Sequence, residues 1–146
     1  MSVFSKKYGE RQDAVITKCY IFAPKTDKDG NRHYCETDNA MWDTGSTNTS
    51  ISQEIVAALN LQPIGKIPVS IYGGSIVERD VYEIDILLPG NIRVEHLQVM
   101  GDDASDYDVL IGMDVITLGD MCISNKDDQT YFSFRLPSKE HIELTE

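Results

Sequence analysis

The sequence predicts an all-β fold, a closed barrel of short strands with one or two short helices. Three observations carry this expectation. Runs rich in β-branched and aromatic residues recur between turn clusters, one stretch alone has helical periodicity, and no internal repeat or low-complexity segment interrupts them. Asp13 to Pro24 reads as the first strand, and the turn cluster from Lys25 to Asn31 leads to a second, Arg32 to Trp42. In that turn, Gly30 and Glu36 take the sixth and twelfth places of an EF-hand register, but Lys25 stands where the first carboxylate must be. A hairpin turn with Asp29-Gly30 at its tip is the better reading. Ser52 to Leu61 reads as a helix: Ser52 can cap it, Ile55, Ala58 and Leu59 share one face, and Pro63 and Gly65 end it. Strands follow at Pro68 to Ile71, Ile76 to Leu88 and Ile92 to Met100, the last two joined by a Pro89-Gly90-Asn91 turn. Gly101 to Asp108 is an acidic loop, read as a solvated face. Val109 to Ile111 is a short buried strand, and Asp114 to Leu118 one helical turn capped by Asp114. Met121 to Ser124 and Tyr131 to Leu136 complete the sheet.

The 146 residues are enough for one domain burying about two-thirds of its unfolded surface. We place a loose polar arm over residues 1–12, the domain over 13–137 and an acidic tail over 138–146. No run reaches the ~18 consecutive apolar residues of a membrane helix. Met1 to Lys7 has basic residues without an apolar core behind them, so no signal peptide is expected and the expected location is the cytoplasm. Cys19, Cys35 and Cys122 are odd in number and lack metal-ligand spacing; Cys35 lies two residues from His33, as strand neighbours on one face do. The net charge of −11 argues against nucleic acid as a partner.

The densest chemical signal is Asp43-Thr44-Gly45-Ser46, which follows the apolar pair Met41-Trp42 and precedes Thr47-Asn48-Thr49-Ser50-Ile51. A strand ending there can hold the carboxylate in a sheltered place, and Gly45 lets another backbone approach. Taken alone, the tetrapeptide is also an ordinary polar turn. Two further segments accompany it: the apolar run Val109-Leu110-Ile111 ending in Gly112-Met113-Asp114, and Ile71-Tyr72-Gly73-Gly74-Ser75 between them.

Together these three segments resemble the retropepsin and pepsin clan of aspartic proteases, over about residues 15 to 135. The resemblance implies the closed acid-protease barrel in its single-lobe, retropepsin-like form. It makes Asp43 the catalytic carboxylate, Thr44 a hydrogen-bonding partner across a two-fold axis, and Gly45 a carbonyl presented to the substrate strand. Ser46 is expected to bond the outer carboxylate oxygen. Tyr72, Gly73 and Gly74 fall where the clan places its flap, although Gly73-Gly74 is equally a plain hairpin turn. Leu110, Ile111 and Gly112 correspond to the strand crossing behind the loop. Asp114 is expected to serve as a helix cap, and Met113 and Ile111 as core.

Viral retropepsins carry an acidic residue two places after the motif glycine and an Arg directly after the second glycine. Here those places hold Thr47 and Met113, so both partners of that ion pair are replaced. Thr47 and Asn48 remain candidate substrate contacts. The chain has one Asp-Thr-Gly, and the chemistry needs two carboxylates sharing one proton, so the resemblance implies a homodimer acting on a peptide or protein without metal or organic cofactor. Two alternatives stand beside it. One is a binding or regulatory module that keeps the fold and cuts little. The other is a metal-dependent hydrolase, for which His33, His96 and His141 are poorly spaced.

Overall fold

The computed structural model describes residues 1–71, 73–103 and 106–146; Tyr72, one of the expected flap residues, lies outside the described residues. Ten strands and two short α-helices follow in order: β1 (Ser2–Lys7), β2 (Ile16–Thr26), β3 (Arg32–Trp42), β4 (Ser50–Ile51), α1 (Gln53–Ala58), β5 (Gly65–Ser70) and β6 (Ile76–Leu88). A 3-10 turn (Pro89–Asn91) then leads to β7 (Ile92–Gly101), β8 (Val109–Ile111), α2 (Met113–Ile116), β9 (Asp120–Lys126) and β10 (Gln129–Leu136).

The larger sheet runs β2-β3-β8-β4-β7-β6-β5, and an additional β2–β6 pairing joins its ends into a closed barrel from which β5 projects as a hairpin with β6. Alternation builds the interior. Along β2 every second residue, Thr17, Cys19, Ile21 and Ala23, is buried while its neighbours are not. Ile84, Ile86, Ile92 and Val99 complete that interior from β6 and β7, each fully buried. A bulge between Ile84 and Ile86 turns Asp85 inward, where Arg32 Nη2 meets its Oδ2 at 2.6 Å and the His96 amide donates to Oδ1 at 2.8 Å.

The smaller sheet, β1-β10-β9, packs against the barrel through aromatic rings. Trp42 lies 4.8 Å from Phe134 and 4.9 Å from Phe132 between ring centroids, and Phe4 reaches both Phe132 and Trp42 at 5.7 and 6.2 Å. Such tilted pairs add to the area they bury. The Trp42 indole nitrogen donates to Thr17 Oγ1 at 2.9 Å, so its polar tip is satisfied inside the core.

Two expectations need correction here. Ser2–Lys7 is not a loose arm but a strand paired antiparallel with β10, and Tyr8 continues the contact by donating to the Ile16 carbonyl at 2.6 Å. Its anchor is a single buried side chain, Phe4, among exposed neighbours. Asp114 does not cap α2: Gly112 is the cap residue, and Asp114 sits inside the first turn, where its carboxylate takes the Thr49 amide and hydroxyl as well as the Val115 amide. The other helix behaves as its sequence predicts, with Ser52 capping α1 through its hydroxyl to the Ile55 amide. At the β2–β3 tip, Asp27 Oδ1 accepts from the amides of Asp29 and Asn31, both at 2.9 Å, closing a hairpin turn rather than a calcium loop. No described helix is long and apolar enough to cross a membrane.

Candidate active site

β3 and β8 run parallel, with Trp42 opposite Ile111. One residue further, the Asp43 amide donates to the Ile111 carbonyl at 2.8 Å, so the ladder holds the aspartate backbone to a strand whose Val109 and Ile111 are fully buried. The side chain is half-buried. Its Oδ1 accepts from the Gly45 amide at 2.9 Å, and its carbonyl accepts from the Ser46 amide at 3.2 Å. This is the Asx turn expected of Asp before a Gly. A Cβ on Gly45 would stand 3.2 Å from Asp43 Oδ1, so the glycine makes room for the carboxylate lying over the loop.

The returning leg of the loop is tied to α2. Met113 and Asp114 amides donate to the carbonyls of Ser46 and Thr47 at 2.8 and 3.2 Å. Thr49, fully buried, is the knot. Its amide and hydroxyl donate to Asp114 Oδ2 and Oδ1 at 2.9 and 2.7 Å, and its hydroxyl accepts from the Gly112 amide at 3.1 Å. Asp114 Oδ1 also accepts from the Val115 amide at 2.9 Å. A carboxylate given three donors in a partly buried place is a strong local bolt. Gly112 lies where the two legs cross: a Cβ there would be 2.7 Å from the Asn48 carbonyl carbon and 2.8 Å from both the Asn48 and Ser46 carbonyl oxygens.

The expected site residues thus divide. Asp43, Gly45, Ser46, Ile111, Gly112 and Asp114 form one hydrogen-bonded unit, with Leu110 held in register against Met41 and Ser50. Ser46 departs from its expected role: its hydroxyl donates to the Asn48 carbonyl at 2.8 Å, which stiffens the loop instead of reaching the carboxylate. Thr44 and Thr47 are exposed and Asn48 is half-buried. Gly73 and Gly74 lie in the β5–β6 hairpin turn with φ of +95° and +81°, a conformation that suits glycine. The Ile71 amide closes that turn on the Ser75 carbonyl at 2.9 Å. On either side Ile71 and Ile76 are 40% and 70% exposed, which leaves apolar surface on the hairpin tip.

Thr49 was not singled out from sequence. Nothing distinguishes it there from Thr44 and Thr47; only its place on the barrel side of the loop makes it the buried partner of Asp114. Two acidic side chains of the 101–108 loop have structural work. Asp103 accepts from the Gln53 amide at 2.9 Å, and Asp108 accepts the Thr37 hydroxyl at 2.5 Å. Among the described residues, no three His, Cys, Asp or Glu side chains converge as metal ligands do. A cleft of about 660 Å³ lies between the β2–β3 tip and the end of α1, lined by Pro24, His33, Leu59 and Ile64 among others, and does not include Asp43.

A family described as "gag-polyprotein putative aspartyl protease" matches residues 36–117, more than half of the chain and the whole of the Asp43–Asp114 unit. Among solved structures, a retropepsin-like aspartic protease from Rickettsia conorii superposes with a TM-score of 0.52 at 10% identity, covering 90% of this chain and 91% of that one. The protease of Simian Foamy Virus (mac) aligns with a TM-score of 0.46 at 20% identity, over 70% of this chain and 91% of that one. No curated protein matches the sequence. The fold is the retropepsin-like barrel.

Proposed function

We propose, from the premise that this chain belongs to the gag-polyprotein aspartyl protease family, that it is an aspartic endopeptidase whose site is completed by a second copy of itself. The observation carrying this reading is Asp43: one carboxylate, half-exposed, on a backbone bonded to a buried strand, with one oxygen engaged by the Gly45 amide. That arrangement leaves Oδ2 directed by the Asx turn for proton exchange. Two such groups brought together cannot both ionise, so the pair holds one proton between them. The ionised member takes a proton from a water molecule as the water oxygen bonds to the peptide carbonyl carbon. The protonated member gives its proton to the carbonyl oxygen, and the tetrahedral product collapses with cleavage of C–N and proton delivery to the departing amine.

The hairpin turn at Gly73-Gly74, with exposed Ile71 and Ile76, is suited to act as the flap covering an extended peptide. Thr44, whose hydroxyl takes no partner among the described residues, is suited to bond its own copy across the axis. Thr47 and Asn48 offer polar groups to the substrate backbone.

The test is digestion of a diverse peptide mixture by the purified chain and by Asp43→Asn, read by mass spectrometry. Cuts made only by the wild type support the protease and give its preferences. A confirmed dimer that makes no Asp43-dependent cut sinks the catalytic reading and leaves a binding module of the same fold.

Acidity should matter. Each chain carries −11, so two copies repel at neutral pH, and protonation on acidification relieves that. Dimerisation and cleavage are expected to strengthen between about pH 7.5 and 5. The fold should survive that range. Asp27 and Asp120 are held below their ordinary value of 3.8, Asp27 first by the Asn31 amide and Asp120 first by the Lys139 amide and Ser138 hydroxyl. At Asp85 burial pushes upward, but the Arg32 and His96 hydrogen bonds outweigh it and the net direction is down. A depressed carboxylate stabilises the fold above its unfolded value and loses that contribution only as pH falls toward the folded one. These three therefore keep their contributions until well below pH 5, and a sedimentation series flat across the range would count against the charge argument.

A further inference from the structure

The cleft of about 660 Å³ between the β2–β3 tip and the end of α1 has no part in the chemistry at Asp43, yet it is built as binding sites are. Its volume lies within the roughly 300–1,000 Å³ that hold a drug-sized ligand. Its floor is apolar: Ala23, Leu59 and Leu61 are buried there, and Pro24 and Ile64 flank them at the surface, Ile64 being 56% exposed.

Four titratable side chains line the same cleft, Lys25, Asp27, His33 and Glu83. Two of them are engaged with each other. Asp27 Oδ1 accepts the Asp29 and Asn31 amides, and its Oδ2 faces His33 Nε2 at 3.3 Å. The other two are not engaged. The Glu83 side chain is 35% exposed, and its ion partner, His96 Nδ1, stands 3.7 Å from Oε2, beyond hydrogen-bond reach. Lys25 makes no side-chain hydrogen bond or ion pair among the described residues. A partly buried carboxylate without a donor gains from any cation that reaches it. The cleft thus sets one unanswered anion and one unanswered cation beside an apolar floor. A ligand answering all three carries an ammonium, a carboxylate and apolar groups between them, which describes a short apolar peptide with free ends.

Its position gives such an occupant something to act on. The wall from Asn60 to Ile64 runs straight into β5, and the Ile64 amide donates to the Val81 carbonyl of β6 at 2.8 Å. Glu83 lies two residues further along β6. The opposite wall, Ala23 to Asp27 with His33, belongs to the β2–β3 hairpin. A ligand held between the walls therefore joins the β2–β3 tip to the root of the β5–β6 hairpin, whose far end is the Gly73-Gly74 turn.

We propose that this cleft binds short apolar peptides, their ammonium on Glu83, their carboxylate on Lys25 and their side chains on Leu59, Leu61 and Ile64. Occupancy slows cleavage by restraining the β5–β6 hairpin at its root. Free ends are what hydrolysis of a peptide bond creates, so the site senses accumulated product. Binding stands apart from the reading of Asp43 as catalytic; the effect on cleavage rests on it.

The probe is trileucine, titrated into the 15N-labelled full chain carrying Asp43→Asn, which leaves the peptide uncut. The Asn60, Leu61, Gln62 and Ile64 amide signals are expected to move. N-acetylation of the probe, or Glu83→Gln, should weaken binding about tenfold. C-terminal amidation, or Lys25→Met, should weaken it about threefold, since Lys25 is exposed. The capped peptides leave the protein untouched, so a variant that misfolds does not blunt the test. A double cycle ties group to group: N-acetylation should cost nothing further in Glu83→Gln. In chains with Asp43 intact, trileucine should lower the cleavage rate at saturating substrate, and Glu83→Gln should abolish that effect while keeping its basal rate. Trileucine that moves the Asn60–Ile64 signals in a chain making no Asp43-dependent cut sustains the cleft and removes the protease. Slowing by competition with substrate alone, equal in Glu83→Gln, overturns the cleft and leaves the protease standing. Absence of binding, or affinity indifferent to both end caps, overturns the proposal.

Discussion

Gly112→Ala is expected to cost about 3 kcal/mol of stability and roughly 10 °C of melting temperature, and to abolish cleavage even where the variant is still folded. The reason is space, not backbone strain. Gly112 has φ −93° and ψ −174°, extended backbone that any residue adopts. Its missing Cβ is the point: a methyl group would press within 2.8 Å of three backbone atoms of Ser46 and Asn48. Backbone cannot rotate aside as a side-chain end can. Either β8 backs away and loses the Asp43 amide bond to Ile111, or the loop lifts and loses the Met113 bond to Ser46. Both routes displace Asp43. Trp42, the single tryptophan and the residue before Asp43, makes fluorescence a direct monitor of the melt. An alanine variant that melts like the wild type and cleaves normally would show that the crossing has slack which the distances deny.

Asp43→Asn chains mixed in ninefold excess with wild type should reduce cleavage per wild-type chain to about a tenth, because random pairing leaves that share of wild-type subunits with a competent partner. Asparagine keeps the shape and can still accept from the Gly45 amide, so the variant should fold, pair and occupy a subunit place. It cannot exchange the shared proton, and one remaining Asp43 has no partner for it. An enzyme complete within one chain would be indifferent to the added variant, and a linear response to dilution alone would refute the composite site. Pre-equilibration through the monomer is needed before the assay so that subunits can exchange.

Much of this architecture can be read from the chain because its long strands alternate cleanly. Arg32–Trp42 and Ile76–Leu88 appear at the bounds their residues predict, and Ser52 announces α1 through a local hydrogen bond. β1 escapes such a reading because one buried Phe4 among Ser and Lys gives no pattern; its order comes from β10, far along the chain. The two-residue β4 is too short for any periodicity, and it exists because β7 and β8 flank it. Within the loop, the turn in which the Gly45 amide bonds the Asp43 carboxylate is legible, since its two partners lie two residues apart. Asp114 is not, since its donors on Thr49 come near only where two distant segments cross. The same holds for Thr49.

The aromatic seat of Trp42 ties the making of the site to the order of folding. The ring before Asp43 is buried by Phe4 near one end of the sequence and by Phe132 and Phe134 near the other. Contacts so distant along the chain form late, after loop closure has cost its entropy. Until β10 has been synthesised and docked, the strand that presents Asp43 lacks its lid of rings. A nascent chain therefore carries its aspartate in a pliable loop, and competence arrives only with the last strand.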